Sequence, residues 1–202
     1  MIMIRSLLII AALGLTGCVS APRTDPAELP AGAFSLDPAH ASVTWRIRHL
    51  GLSWYTARFD TAEASLQFDP QNPAGAQLTA IVDAGSISTG DPDFDETLRG
   101  AAWFAAERHP EIVFRSTRIE PTSETTGRVF GDLTVKGVTR PVVLETEFYG
   151  GLFNPLEGRR ALGFGADMTI DRTEFGIGNL PGNFIGDEVR VRLEAEFLQS
   201  ED

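Results

Sequence analysis

The chain has 202 residues, 43% of them hydrophobic and 22% charged, an ordinary globular composition with enough apolar residues for one sizeable core. Its formal charge is −11; residues 1–17 contribute only Arg5, so the remainder carries 16 basic against 28 acidic side chains, a charge of −12. A surface of that sign is repelled by nucleic acid and by anionic lipid head groups, so neither nucleic-acid binding nor adhesion to a membrane by charge is expected.

The first segment stands apart from the rest. Arg5, the apolar run at residues 7–15 and the small residues before Cys18 read as an export signal too short to span a bilayer. Leu15-Thr16-Gly17-Cys18 resembles the lipobox of bacterial lipoproteins, which implies cleavage before Cys18 and its acylation; the alternative is an ordinary secretory signal that happens to contain a cysteine. Cys18 is the only cysteine, so no disulfide can form within the chain. The expected organisation is a signal peptide at 1–17, a tether at 18–30 and one domain at 31–199. The expected location is the periplasmic face of a bacterial membrane, which the protein reaches through acylated Cys18. Residues 19–30 are rich in Pro and Ala without periodicity, as in an extended tether.

From Phe34 onward the pattern is that of strands. Val43, Trp45 and Ile47 alternate with Thr44, Arg46 and Arg48, and His49 lies in phase with the apolar face. Residues 55–59 and 62–68 read as the next two strands, and Leu78, Ala80 and Val82 repeat the alternation after a turn-rich loop. Residues 91–106 break the rhythm: Asp91-Pro92 begins a helix well, and Phe94, Leu98 and then Ala101 or Ala102 recur at helical spacing. One short helix between Pro92 and Ala106 is therefore expected over one end of the sheet. Strands resume at residues 112–119. A hairpin follows, turning at Lys136-Gly137, with Val142, Leu144, Thr146 and Phe148 on one face of its second strand. Leu162, Phe164, Ala166, Met168 and Ile170 then alternate with polar residues and glycines, which suggest bending or close approach of backbone. The last strand alternates most cleanly, with Val189, Val191, Leu193, Ala195 and Phe197 on its dry face. Short strands bounded by turns favour an antiparallel sandwich or barrel.

Motifs of catalysis are weak. The three histidines, His40, His49 and His109, lack zinc-ligand spacing, so no metal is expected; catalysis would need His40 and His49 together. The carboxylates Asp91, Asp93, Asp95 and Glu96 suit a helix start. No Gly-x-Ser-x-Gly elbow or Walker-type loop occurs, and Gly176-Ile177-Gly178 lacks the helix a dinucleotide site requires. What remains is the apolar face, which an eight-stranded barrel can pack solid or leave open for one ligand.

Several blocks in order resemble the YceI-like family. They are Asp37-Pro38-Ala39-His40-Ala41 with Val43, Trp45 and Arg48-His49; Asp95-Glu96-Thr97-Leu98-Arg99 with Trp103-Phe104; the run from Pro110 to Ser116; the run from Gly131 to Thr139; and Arg172-Thr173-Glu174-Phe175-Gly176. The resemblance spans residues 34–197. It implies an all-β fold, an extended antiparallel lipocalin-like β-barrel of about eight strands, holding a long apolar chain such as a polyisoprenoid, an isoprenoid quinone or a fatty-acid derivative. Where the family often has Arg-Asp-x-His-Leu, this chain has Phe94-Asp95-Glu96-Thr97-Leu98; where it often has Asp-Phe-Phe-Asp, this chain has Ala102-Trp103-Phe104-Ala105. Fewer polar groups near the barrel mouth follow from both departures.

The expected function is binding, sequestration or carriage of that lipid without catalysis and without a cofactor. The expected contacts are Val43, Trp45, Ile47, His49, Leu98, Phe104, Phe114, Phe148, Leu162, Phe164, Ala166, Met168 and Phe175. A quinone-binding accessory factor in envelope redox or stress response and a structural lipoprotein with a filled barrel are the alternatives. The oligomeric state stays open, with a homodimer among the options.

Overall fold

The computed structural model describes residues 21–200. The signal peptide, Cys18 and the first part of the tether lie outside the described residues. Ten strands run in chain order: β1 (Gly32–His49), β2 (Ser53–Phe59), β3 (Ala62–Phe68), β4 (Gln77–Asp83), β5 (Ile87–Ser88), β6 (Glu111–Pro121), β7 (Thr126–Val135), β8 (Val138–Asn154), β9 (Arg159–Asp171) and β10 (Ile185–Gln199), with one helix, α1 (Pro92–Arg99), between β5 and β6. All pairings between these strands are antiparallel.

The sheet closes on itself because β1 pairs on both sides, with β10 and with β2 and β3. The first residues of β1 pair with β3, Phe34 opposite Leu66, and its last residues pair with β2, Ile47 opposite Tyr55. β2 and β3 therefore act as one strand broken at Asp60-Thr61, β4 and β5 likewise as one, and the closed ring has eight staves. Register shifts between Leu36 and Ala41, between Ser116 and Arg118, and between Phe148 and Gly150 mark bulges that bend long strands around the ring.

The β7–β8 hairpin turns at Lys136 and Gly137, both at positive φ (52° and 76°), the turn geometry whose twist matches a two-residue hairpin. Helix α1 starts where the Asp91 carboxylate accepts from the Asp93 and Phe94 amides, with Pro92 just inside. It ends at Arg99, earlier than expected: the Gly100 amide closes back on the Thr97 carbonyl, and residues 101–108 continue as turns that bring Trp103 and Phe104 over the barrel. Among the described residues no helix is long and apolar enough to cross a membrane.

The ring has two unlike ends. At one, the domain termini meet the loops after β3, β6 and β8, and Phe34, Leu66, Leu162 and Phe197 pack together with Leu29. The other is capped by α1, by the turns after it and by residues 172–184; there Phe59, Ile87 and Leu98 pack with Phe94, and Phe175 and Ile177 pack with Val135.

The tether expectation needs correcting for residues 21–30. Arg23 and Gly151 form a β-bridge, Leu29 packs onto the core, and the Arg23 guanidinium pairs with Glu28 at 2.6 Å. The described part of this segment is seated on the barrel. Its Pro- and Ala-rich composition shows no alternation because a single bridge and one half-buried leucine, not a strand, hold it.

Candidate functional site

The inward side chains do not fill the ring. A cavity of about 550 Å³ runs through it, within the ~300–1,000 Å³ range of small-molecule sites. Its wall reaches from Thr24, Leu29, Pro70 and residues 123–126 at the terminal end to His49, Tyr55, Phe94 and Ile185 at the capped end. The physical cause is the period of two: every stave turns its alternate apolar residues inward, and eight staves enclose more space than these side chains occupy.

Aromatic rings pave both ends. Toward the terminal end Phe148 and Phe164 lie 5.0 Å apart, with Phe68 and Phe197 beside them. Toward the capped end Trp45 meets Tyr55 at 6.4 Å, Tyr55 meets Phe94 edge-on at 5.7 Å, and Phe59 meets Phe104 edge-on at 5.3 Å. Trp45 Nε1 is buried and, among the described residues, is the one buried side-chain nitrogen or oxygen without a hydrogen-bond partner.

Few charges reach the wall: Glu63 and Glu124 are exposed and Glu194 is half-buried, which leaves Arg172 as the one deeply buried charge among the lining residues. Arg172 lines it and is almost fully buried, but its donors are spent on the protein: Nε to Gly186 O (2.9 Å), Nη1 to Ile177 O (2.9 Å), and Nη2 to Leu180 O (2.7 Å) and to the Asp187 carboxylate (2.8 Å). It staples the 172–184 loop over the capped end. Lys136 helps by donating to Gly176 O at 2.6 Å, and burial, with Arg108 nearby, pushes its ammonium below the usual lysine range. The Arg172–Gly176 block is thus explained by loop closure. Asp95, also buried, accepts from the Thr89 amide and hydroxyl, both at 2.7 Å, and so joins α1 to the end of β5.

Of the thirteen expected contact residues, eleven line the cavity: Val43, Trp45, Ile47, His49, Leu98, Phe104, Phe114, Phe148, Phe164, Ala166 and Met168. The other two are placed elsewhere. Leu162 has no exposed surface, because Phe34, Phe197 and Leu29 close over it; Phe175 sits in the turn after β9, packed under the capping loop behind the wall. Sequence reasoning omitted Leu78, Ala80, Val82, Val191 and Leu193, although their alternation is plain, and Tyr55, Phe59 and Phe68 on β2 and β3. Nothing in the sequence could have flagged Thr24.

The histidines do not converge. His40 and His49 both lie on β1, nine residues of strand apart, on the order of 30 Å at ~3.3 Å per residue. His40 Nδ1 bonds Asp37 Oδ2 at 2.8 Å in the β1 bulge. With Glu196 these two place a ligand atom each within 4.8 Å of one another, the one group of potential metal ligands found among the described residues. The hydrogen bond between His40 and Asp37 accounts for the closest contact within it, and the group lies apart from the cavity wall.

An antiparallel barrel closed around one apolar cavity is the architecture of the lipocalin-like binding proteins. The family model of the YceI-like domain matches residues 34–197, and the chain belongs to that family. A UPF0312 protein of Yersinia pestis is 34% identical over 160 residues, covering 79% of this chain and 82% of that protein. Among solved structures, Burkholderia cenocepacia BcnA superposes with a TM-score of 0.71 at 23% identity, covering 80% of this chain and 98% of that one. A polyisoprenoid binding domain from Saccharophagus degradans, described as implicated in plant cell wall breakdown, superposes with a TM-score of 0.62 at 13% identity, covering 85% and 100%. At these identities the two structures speak to the fold.

Proposed function

We propose that this protein binds one long apolar chain, of the polyisoprenoid, isoprenoid-quinone or fatty-acid class, in its barrel and sequesters or carries it at the cell envelope without catalysis. The cavity carries this reading: about 550 Å³ enclosed by aliphatic and aromatic side chains, with its one deeply buried charge already satisfied by the protein. Burying a methylene is worth roughly 0.8 kcal/mol, so such a tunnel gains affinity from chain length with no charged contact. A filled structural barrel is disfavoured by the same cavity. The similarity to the polyisoprenoid binding domain of Saccharophagus degradans supports the ligand class, and the lipobox resemblance at Cys18 supports an exported lipoprotein.

Mass spectrometry of organic extracts from natively purified protein tests the ligand, and absorbance of the extract separates a quinone from other lipids. Recovery of one long-chain lipid class is expected; protein that never yields an apolar ligand and fails to take up added long-chain lipid overturns the proposal. Location is tested separately. Cys18→Ser should give an uncleaved or soluble exported form, and unchanged membrane partitioning at unchanged mature mass would count against acylation.

A further inference from the structure

The rim of the capped end carries a surface that the binding reading leaves unexplained. Leu50 and Leu52 in the β1–β2 turn are 47% and 83% exposed, and Phe184, just before β10, is 52% exposed. The Leu50 amide donates to Phe184 O at 2.8 Å, so turn and loop form one ridge. Their chain neighbours His49 and Ile185 line the cavity, as does Tyr55. Apolar surface therefore continues from the cavity wall out onto the rim.

Beside this ridge the charge is the reverse of the protein's average. Arg46, Arg48 and Arg190 each place a guanidinium over the ring of Trp54, at 5.0, 5.1 and 4.8 Å from its centroid. Arg46 stands directly opposite Arg190 across β1 and β10, a like-charge pair that works against sheet stability. Glu188 pairs with Arg190 at 2.7 Å and Asp187 is held by Arg172; among the described residues neither Arg46 nor Arg48 has a carboxylate partner. Stacking on Trp54 and, for Arg48, a bond from Nη2 to Gly51 O at 2.6 Å hold these cations in place, but the charges of Arg46 and Arg48 stay uncompensated.

We propose that this rim docks on an anionic lipid bilayer, with Leu50, Leu52 and Phe184 in the acyl boundary, Trp54 at head-group level and the arginines on lipid phosphates, so that a chain enters the cavity past His49 and Tyr55. Apolar side chains beside Trp and basic residues are the composition of an interfacial anchor. The net negative charge does not prevent the contact: at physiological salt charges act over about 8 Å, so the local arginines govern it. The docking does not depend on acylation of Cys18 and is measured without it.

The test uses the soluble exported form of Cys18→Ser protein, shown by mass to lack residues 1–17, and sedimentation with phosphatidylcholine vesicles, with and without phosphatidylglycerol. Binding to the anionic vesicles that weakens with salt is expected. Arg46→Gln and Arg48→Gln should each weaken it about five-fold, the equivalent of roughly 1 kcal/mol per arginine. Leu52→Asp should abolish it while the circular-dichroism melt stays unchanged, because the residue is exposed. No binding to anionic vesicles, or binding that Leu52→Asp leaves intact, overturns the proposal. A dimer in solution that Leu52→Asp dissolves, without vesicle binding, overturns it in favour of contact between copies. Ligand content of the same preparations is measured separately, so loss of docking and absence of a lipid ligand remain distinguishable.

Discussion

Arg23 and Gly151 exchange both backbone hydrogen bonds, the Arg23 amide to Gly151 O at 2.9 Å and the Gly151 amide to Arg23 O at 2.8 Å. The approach requires glycine on β8: a Cβ on Gly151 would lie 2.7 Å from Leu29 Cδ2 and 2.8 Å from Leu162 Cδ2, and Gly150 has φ of +115°. Gly151→Val should unseat residues 21–29, cost about 1–3 kcal/mol by overpacking and open the segment to protease. Unchanged cleavage within 21–29 would show that the bridge does not hold the segment.

Arg172 makes its stabilising contribution by tying carbonyls of the 172–184 loop to the first residues of β10. Arg172→Met keeps the apolar stem but leaves the Ile177, Leu180 and Gly186 carbonyls without their donor and Asp187 without its partner. A loss of about 3 kcal/mol or more is expected from the urea midpoint, with the 172–184 loop exchanging amide hydrogens faster. A change under about 1 kcal/mol would mean that other groups or water hold the loop.

Ala166 lines the cavity from β9. Ala166→Phe should place a ring in space the ligand would use, so extractable lipid falls while the ligand-free midpoint moves by less than about 1 kcal/mol. In a solid interior the same change costs about 1–3 kcal/mol. Both quantities are read on delipidated and loaded protein, since bound ligand raises apparent stability by mass action. A large ligand-free loss with lipid content unchanged would contradict the open-cavity reading.

The Asp37–His40 pair predicts a pH dependence. The hydrogen bond with His40 holds the Asp37 carboxyl below its usual range; the hydrogen bond to Asp37, then the charge of Glu196, raises the His40 imidazole above its own. The histidine contribution is complete below its unfolded value of about 6.5 and is lost as pH rises through the folded value. The aspartate contribution is present above about 3.9 and is lost as pH falls through its folded value. His40→Gln should therefore lower the melting midpoint slightly near about pH 5.5 and leave it unchanged in alkaline buffer. An equal deficit at both pH values would assign the effect to packing.

Much of the barrel was legible because its strands alternate. In β10 the inward residues Val189, Val191, Leu193 and Ala195 all line the cavity, as a period of two requires. The hairpin turn at Lys136-Gly137 was legible from residue type, and the start of α1 from Asp91-Pro92. The early end of α1 was not, since Ala101 and Ala102 suit a helix and only the Gly100 backbone, with the turns that seat Trp103 and Phe104, stops it.

By itself the sequence determined which side chains are dry and that the dry faces need a cover, because alternation is a local property of each strand. It could not determine whether the covered space is full. Leu162 and Phe164 lie on the same face of β9, yet Leu162 is sealed under Phe34, Phe197 and Leu29 while Phe164 faces the cavity. That difference depends on how β1 bends to pair with β3 and β10 and on where residues 21–30 come to rest. Both are long-range arrangements, and the volume left inside a closed ring is a property of the ring, not of any one of its strands.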